Sequence, residues 1–305
     1  MWLLILLFTI IPVGLIMWTI YSLNEKEKQP YWMLGLLFIG GLLSFFLVRL
    51  TSSFLDGRVY ELSSASPFLK QDWEFFLVAF GMIAVVEELS KFIMLNFFSF
   101  RSKKFKYPYD GIVYGVFVSL GFAFLENLMY LNNQGLGIAL SRAIFTIPAH
   151  ASFGIVMGYY LGLAKGCIKK GLNTDCLKYR YIAFFVPLVL HGIYDYICNF
   201  NVNSAKYGLT AYTLFLYAIA VIKMYKMNNL DISYYDEDHY KPDDIIMDYK
   251  DEATIHSDEI RKNLFEREEH GSFNNETKEY ETNNFCMKMF SSDDDETNNN
   301  EQGHN

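Results

Sequence analysis

The chain has little cysteine. Cys167, Cys176, Cys198 and Cys286 are its only four in 305 residues, and none has C-x-x-C or finger spacing. That argues against a disulfide framework or a thiolate metal site. There is no H-E-x-x-H pair, so no metal is fixed by motif. No serine has an evident base partner, since Ser90 and Ser119 lack a local histidine. The basic residues sit in short loops between apolar runs rather than in a patch, which argues against nucleic-acid binding. Charge as a whole is scarce: 20% of residues are charged, against 52% hydrophobic and 17% aromatic. A soluble domain of this length is far less apolar.

The charge that is present divides the chain in two. Residues 1–227 hold 19 Lys+Arg and 12 Asp+Glu, a balance of +7, whereas residues 228–305 hold 7 and 22, a balance of −15. A basic, apolar body joined to an acidic, Asn-rich extension reads as a membrane domain (1–227, core 73–200) followed by a solvated tail (228–305). The tail has acidic runs at Asp236–Asp238 and Asp293–Glu296 and few apolar residues, so it is expected to be largely disordered. One short helix is expected after Ser257 as a cap, with Ile260, Leu264 and Phe265 on one side.

A helix needs about 20 apolar residues to cross the hydrocarbon core. Seven stretches qualify: Trp2–Tyr21, Tyr31–Leu50, Trp73–Phe98, Tyr109–Leu131, Ile138–Lys165, Tyr181–Phe200 and Tyr207–Tyr225. The fold class is therefore an all-α, polytopic membrane bundle of about seven transmembrane helices. The first stretch has no basic residue before it and no small-residue cleavage pattern after it, so it reads as a retained span rather than a signal peptide. Lys26 and Lys28, the Arg101–Lys106 cluster, Lys165–Arg180, and Lys223 with Lys226 fall in alternate loops on one side. By the positive-inside rule the N-terminus is outside and the tail cytoplasmic, in a multi-pass protein of the cell membrane. Gly115, Gly121, Gly154, Gly158 and Gly162 include small-x-x-x-small spacing, which close helix packing explains.

Ionisable groups interrupt these apolar runs. Glu87 and Glu88 lie in the third stretch, Glu126 in the fourth, His150 in the fifth, and His191 with Asp195 in the sixth. Even low estimates put a charge at the bilayer centre at roughly 2.5–3.5 kcal/mol. Such groups persist facing a protein interior or a water-filled cavity. Glu87 and Lys91 share a helix face, while Glu88 is rotated about 100° away. Two adjacent carboxylates in low dielectric do not both ionise cheaply, so one is expected to act as base and the other as proton reservoir. Lys91 has a plainer reading too, as a side chain reaching for the interface. Phe122 precedes Glu126 by one turn, Arg142 precedes His150 by two, and Asp195 follows His191 by one, close enough to orient the ring or share an ion. At about 1.5 Å per residue, Glu87, Glu126, His150 and His191 all fall near mid-bilayer depth. Pro148 and Pro187 each lie within a turn of a histidine, where they free carbonyls and permit kinks.

The order Glu87-Glu88-x-x-Lys91, Phe122-x-x-x-Glu126-Asn127, Arg142 with Pro148-x-His150, and His191-x-x-x-Asp195 resembles the PrsW family of intramembrane proteases. That family belongs to the wider superfamily of CAAX prenyl proteases and bacteriocin-processing enzymes. The resemblance covers roughly Trp73 to Phe200. It implies hydrolysis of a peptide bond in a single-pass membrane substrate, with the first cut in an anti-sigma factor as the best-known role. Carried over, Glu87, Glu88 and His191 form the catalytic core, and Glu126, His150 and Asp195 complete the site. The wider superfamily more often has His at the position of Glu126 and Asn at that of Asp195, which makes prenyl-protein processing the less favoured branch.

Two mechanisms suit these residues. In the first, Glu87 deprotonates a water, Glu88 or His150 holds that water and shuttles the proton to the leaving amine, and His191, steadied by Asp195, stabilises the oxyanion. In the second, Zn²⁺ is held by some of Glu87, Glu126, His150 and His191. The rival classes are a proton- or ion-coupled transporter, which also places acids and histidines at the midplane, and a catalytically dead membrane scaffold. No internal repeat of the kind many carriers show is evident.

Overall fold

The computed structural model describes residues 2–65, 83–134, 136–169, 172–198 and 203–235. These are helical almost throughout, with no strand among them. Helix α1 (Ile11–Leu23) follows a short turn of helix, Trp2–Ile5, and a π-helical turn, Leu6–Ile10. Then come α2 (Tyr31–Ala65), α3 (Val85–Leu95) running into a π turn at Asn96–Phe100, and α4 (Pro108–Gln134). A short helix, Leu136–Ser141, and a π turn, Arg142–Thr146, lead into α5 (Ile147–Lys169). Helices α6 (Asn173–Cys198) and α7 (Asn203–Asn229) complete the described body.

Among the described residues, five helical segments are long and apolar enough to cross a membrane: Tyr31–Thr51, Pro108–Leu131, Ala139–Lys169, Thr174–Cys198 and Tyr207–Asn229. They coincide with five of the stretches expected from sequence. The first expected span appears as a shorter apolar helix, Leu7–Leu23. The third, Trp73–Phe98, is described only from residue 83, and the tail beyond residue 235, with its expected helix after Ser257, lies outside the described residues.

Burial ranks the helices. Of the most apolar 18 residues of Ala139–Lys169, 83% are buried within the protein, against 17% for Tyr207–Asn229, so α5 is the axis of the bundle and α7 its lipid-facing edge. The glycines explain how α4 and α5 meet. A Cβ on Gly115 or Gly158 would strike the backbone of the other helix, at Gly154 and Gly111 respectively. Gly41 of α2 and Gly121 of α4 make the same kind of close approach. In lipid there is no hydrophobic force between helices, and backbone-to-backbone contact through small residues is what holds them together.

Two of the π turns stand just ahead of a proline. Pro12 has no N–H to return to the Phe8 carbonyl, and Pro148 has none for that of Ile144. Both carbonyls accept from another helix instead: Asn127 Nδ2 donates to Phe8 O at 2.9 Å, and Tyr217 Oη to Ile144 O at 2.8 Å. Such cross-helix donors are how a membrane interior satisfies backbone that proline sets free.

The end of α4 beside the basic loops is tied down separately. Asp110 accepts the backbone N–H groups of Lys106 and Tyr107, each at 2.9 Å, and side-chain donors from Gln29 at 2.7 Å and Asn24 at 3.3 Å. Asp231, just beyond α7, accepts the Tyr109 N–H at 2.9 Å.

Candidate active site

Helix α3 brings Glu87, Glu88 and Lys91 to one place because residues three and four apart share a helix face. Lys91 is 1% exposed and does not reach for an interface. Its ammonium donates to Glu88 Oε1 at 2.8 Å and Glu87 Oε2 at 3.5 Å, lies 3.3 Å from His150 Nδ1, and sits 4.1 Å above the Phe122 ring. The expected pairing of Lys91 with Glu87 is present, but the contact with Glu88, one position nearer, is the shorter.

An ammonium only donates, so His150 Nδ1 accepts from Lys91 and the ring proton sits on Nε2. That nitrogen faces Glu126 Oε2 at 3.0 Å. The same oxygen takes Arg142 Nη2 at 2.6 Å. Arg142 also donates through Nε to Asn127 Oδ1 at 3.1 Å and lies 3.9 Å over the Tyr130 ring. Glu126 thus stands behind His150, on the side away from the glutamate pair.

His191 mirrors this arrangement. Its Nδ1 donates to Glu88 Oε1 at 2.8 Å, which leaves Nε2 toward Asp195 Oδ2 at 3.4 Å and Glu87 Oε2 at 3.8 Å. Phe153 stacks on the ring with centroids 4.8 Å apart, and the two histidine rings meet edge to face at 5.2 Å. Each histidine therefore has one nitrogen held by a carboxylate and the other directed toward the Glu87–Lys91 side.

All six expected residues, Glu87, Glu88, Glu126, His150, His191 and Asp195, belong to one connected cluster. Glu87, Glu88, His150 and His191 are buried, and Glu126 and Asp195 are partly exposed at its edge. The second oxygen of Glu88 is buried with no hydrogen-bond partner among the described residues. Three members, Glu87, His150 and His191, offer ligand atoms all within 4.8 Å of one another. Two imidazoles and a carboxylate are a donor set suited to zinc with an open fourth position. Glu88 at the outer nitrogen of His191 and Glu126 at that of His150 are the carboxylate supports that metal-binding histidines usually carry. The residues fit a divalent cation, on condition that Lys91 keeps its protons for the glutamates and releases His150 Nδ1. Sequence reasoning assigned no role to Phe153 or to the Asn127–Arg142 contact; the aromatic at Phe122 was visible as a same-face neighbour of Glu126.

The comparisons with known proteins agree with this architecture. A family model described as PrsW family intramembrane metalloprotease matches residues 29–224. Protease PrsW of Oceanobacillus iheyensis is 36% identical over 207 residues, covering 68% of this chain and 88% of its own length. Protease PrsW of Halalkalibacterium halodurans is 34% identical over 223 residues, covering 73% and 96%. That of Clostridioides difficile is 31% identical over 228 residues, covering 73% and 91%. No solved structure matches the chain. Similarity that runs through nearly the whole of these relatives, and through every helix that builds the cluster, places the chain in the PrsW family of intramembrane proteases, as a multi-pass membrane peptidase.

Proposed function

We propose that Glu87 is the general base of this peptidase, acting on a water that attacks a peptide bond in a single-pass membrane substrate. The observation that carries this is the unequal grip on the glutamate pair. Glu88 Oε1 accepts two donors at 2.8 Å, from Lys91 and His191, and is held as an orienting anion. Glu87 Oε2 has its neighbours at 3.5 and 3.8 Å, a looser hold that suits a group required to take and release a proton. With its Nδ1 on Glu88 and its Nε2 facing Asp195 and Glu87, His191 acts as the imidazolium, whose Nε2–H is the donor available to a developing oxyanion. His150, whose Nδ1 faces the same space, is suited to carrying the proton onward to the leaving amine.

Glu87, His150 and His191 would hold a divalent metal such as Zn²⁺, which when bound supplies Lewis-acid polarisation and a more acidic water. In that second arrangement Glu87, His150 and His191 would be ligands in place of their base, shuttle and donor tasks, while Glu88 and Glu126 would still orient the two rings and Asp195 would stay at the edge of the site. The substrate we propose is of the anti-sigma-factor kind, a single-pass protein cut on the outer side. The excess of basic residues in one set of loops supports an external N-terminus.

The test is reconstitution of the purified protein in vesicles with a single-pass model helix. Cleavage by the wild type that is lost in Glu87→Gln supports the proposal. Ion flux without cleavage would favour a carrier and overturn it. Metal content by mass spectrometry, with chelation and re-addition, decides the metal.

A further inference from the structure

We infer that the π turn ahead of α1 is a positioning element for His150, acting through Asn127, Arg142 and Glu126. This rests on reading the cluster as the hydrolytic site. The contacts run without a gap. Asn127 uses its whole amide: its nitrogen donates to Thr9 Oγ1 and to Phe8 O, both at 2.9 Å, and its oxygen accepts Arg142 Nε at 3.1 Å. Arg142 Nη2 forms an ion pair with Glu126 Oε2 at 2.6 Å, and that oxygen accepts from His150 Nε2 at 3.0 Å.

Each link fixes the next. Thr9 and Asn127 are both fully buried, so no water competes for the amide. With its nitrogen committed to Phe8 and Thr9, Asn127 can present only its oxygen to Arg142. Arg142, steered there by Nε and laid on the Tyr130 ring, turns Nη2 onto Glu126. Glu126 then takes the His150 proton at Nε2, which leaves Nδ1 as the lone-pair nitrogen directed at Lys91 and the glutamate pair. Pro12 supplies the docking point, because it withholds the N–H that would close an α-helical bond onto Phe8 O. Phe8, Thr9 and Pro12 all precede residue 29, where the family match begins. The first helix therefore acts together with Lys91, which faces the other ring nitrogen, to hold the tautomer and aim of a ring it does not itself touch.

The test reads the ring directly. In ¹⁵N-histidine-labelled full-length protein, with the His150 signals assigned by loss in His150→Gln, the wild type is expected to show one tautomer, protonated at Nε2. Thr9→Val, nearly isosteric and lacking only the hydroxyl, should shift His150 toward a mixture. Thr9→Ser should restore the single tautomer, and Asn127→Leu should shift it furthest. On the reconstituted single-pass helix, kcat should fall roughly 10-fold or more in Asn127→Leu with KM unchanged. A His150 signature unmoved in folded Thr9→Val overturns the inference, and so does a wild-type kcat in Asn127→Leu. If the wild type cleaves nothing, the hydrolase reading fails instead, while the ring measurement, which needs no substrate, still decides the positioning.

Discussion

Two of the places where the described residues bury polar groups differ in kind. At the loop end of α4, Asp110 is surrounded by neutral donors: two backbone N–H groups and the amides of Gln29 and Asn24. No histidine, lysine or arginine side chain is among those partners. In the α3–α4–α5–α6 cluster, four carboxylates face Lys91, Arg142 and two histidines, and single oxygens are shared by two donors. The first arrangement completes a helix terminus with neutral donors. The second keeps several protons within one or two hydrogen bonds of alternative owners. Burial of a charge is therefore not by itself a sign of chemistry; titratable groups turned on one another are.

Substitutions can break this contrast. The largest effect is expected from Glu87→Gln, which should lower cleavage by about 10²–10⁴-fold, the range for losing a general base, with little change in thermal unfolding. Asp110→Asn should do the reverse. It turns an NH₂ toward N–H donors, costing about 1–3 kcal/mol in unfolding measurements while the cleavage rate below the melting range is kept. Gly158→Ala pushes a Cβ into the backbone of α4 and should cost a similar 1–3 kcal/mol or so. Gly35→Ala meets nothing within 4 Å and should be neutral in the same assay.

The smallest expected effect is on pH dependence, at the loop end. Burial pushes the Asp231 carboxyl up to about 6, against the opposing pull of the Tyr109 N–H and Lys26. The folded state thus holds this proton more tightly than the unfolded chain, whose ordinary value is about 4. Its contribution to stability is complete below that value and is lost as pH rises through about 6. Unfolding measured across this window should show that decline, and Asp231→Asn should make it shallower.

Much of the candidate cluster was legible in the sequence because a charge inside an apolar run is costly in lipid and persists where a protein interior encloses it. Glu87, Glu126, His150 and His191 could be placed at similar depth by counting residues, and they do converge. What was not legible depends on direction and on distance along the chain. Whether Lys91 points inward or toward an interface is a choice of rotamer, which spacing does not decide. Glu126 could equally have faced Glu87, and only the Arg142 guanidinium shows why it stands behind His150 instead. Thr9 and Asn127 are 118 residues apart, and no local pattern joins them. Asp110 went unremarked because an acid at the first turn of a span looks like an ordinary boundary charge.

The most direct measurement is a comparison of membrane-derived peptides in cells carrying the wild type, Glu87→Gln or Asp110→Asn, grown where all three accumulate equally. A fragment of a single-pass protein should be present with the wild type and Asp110→Asn and missing with Glu87→Gln. Identical fragments in all three, or loss with Asp110→Asn alone, would contradict the assignment of catalysis to the α3–α6 cluster.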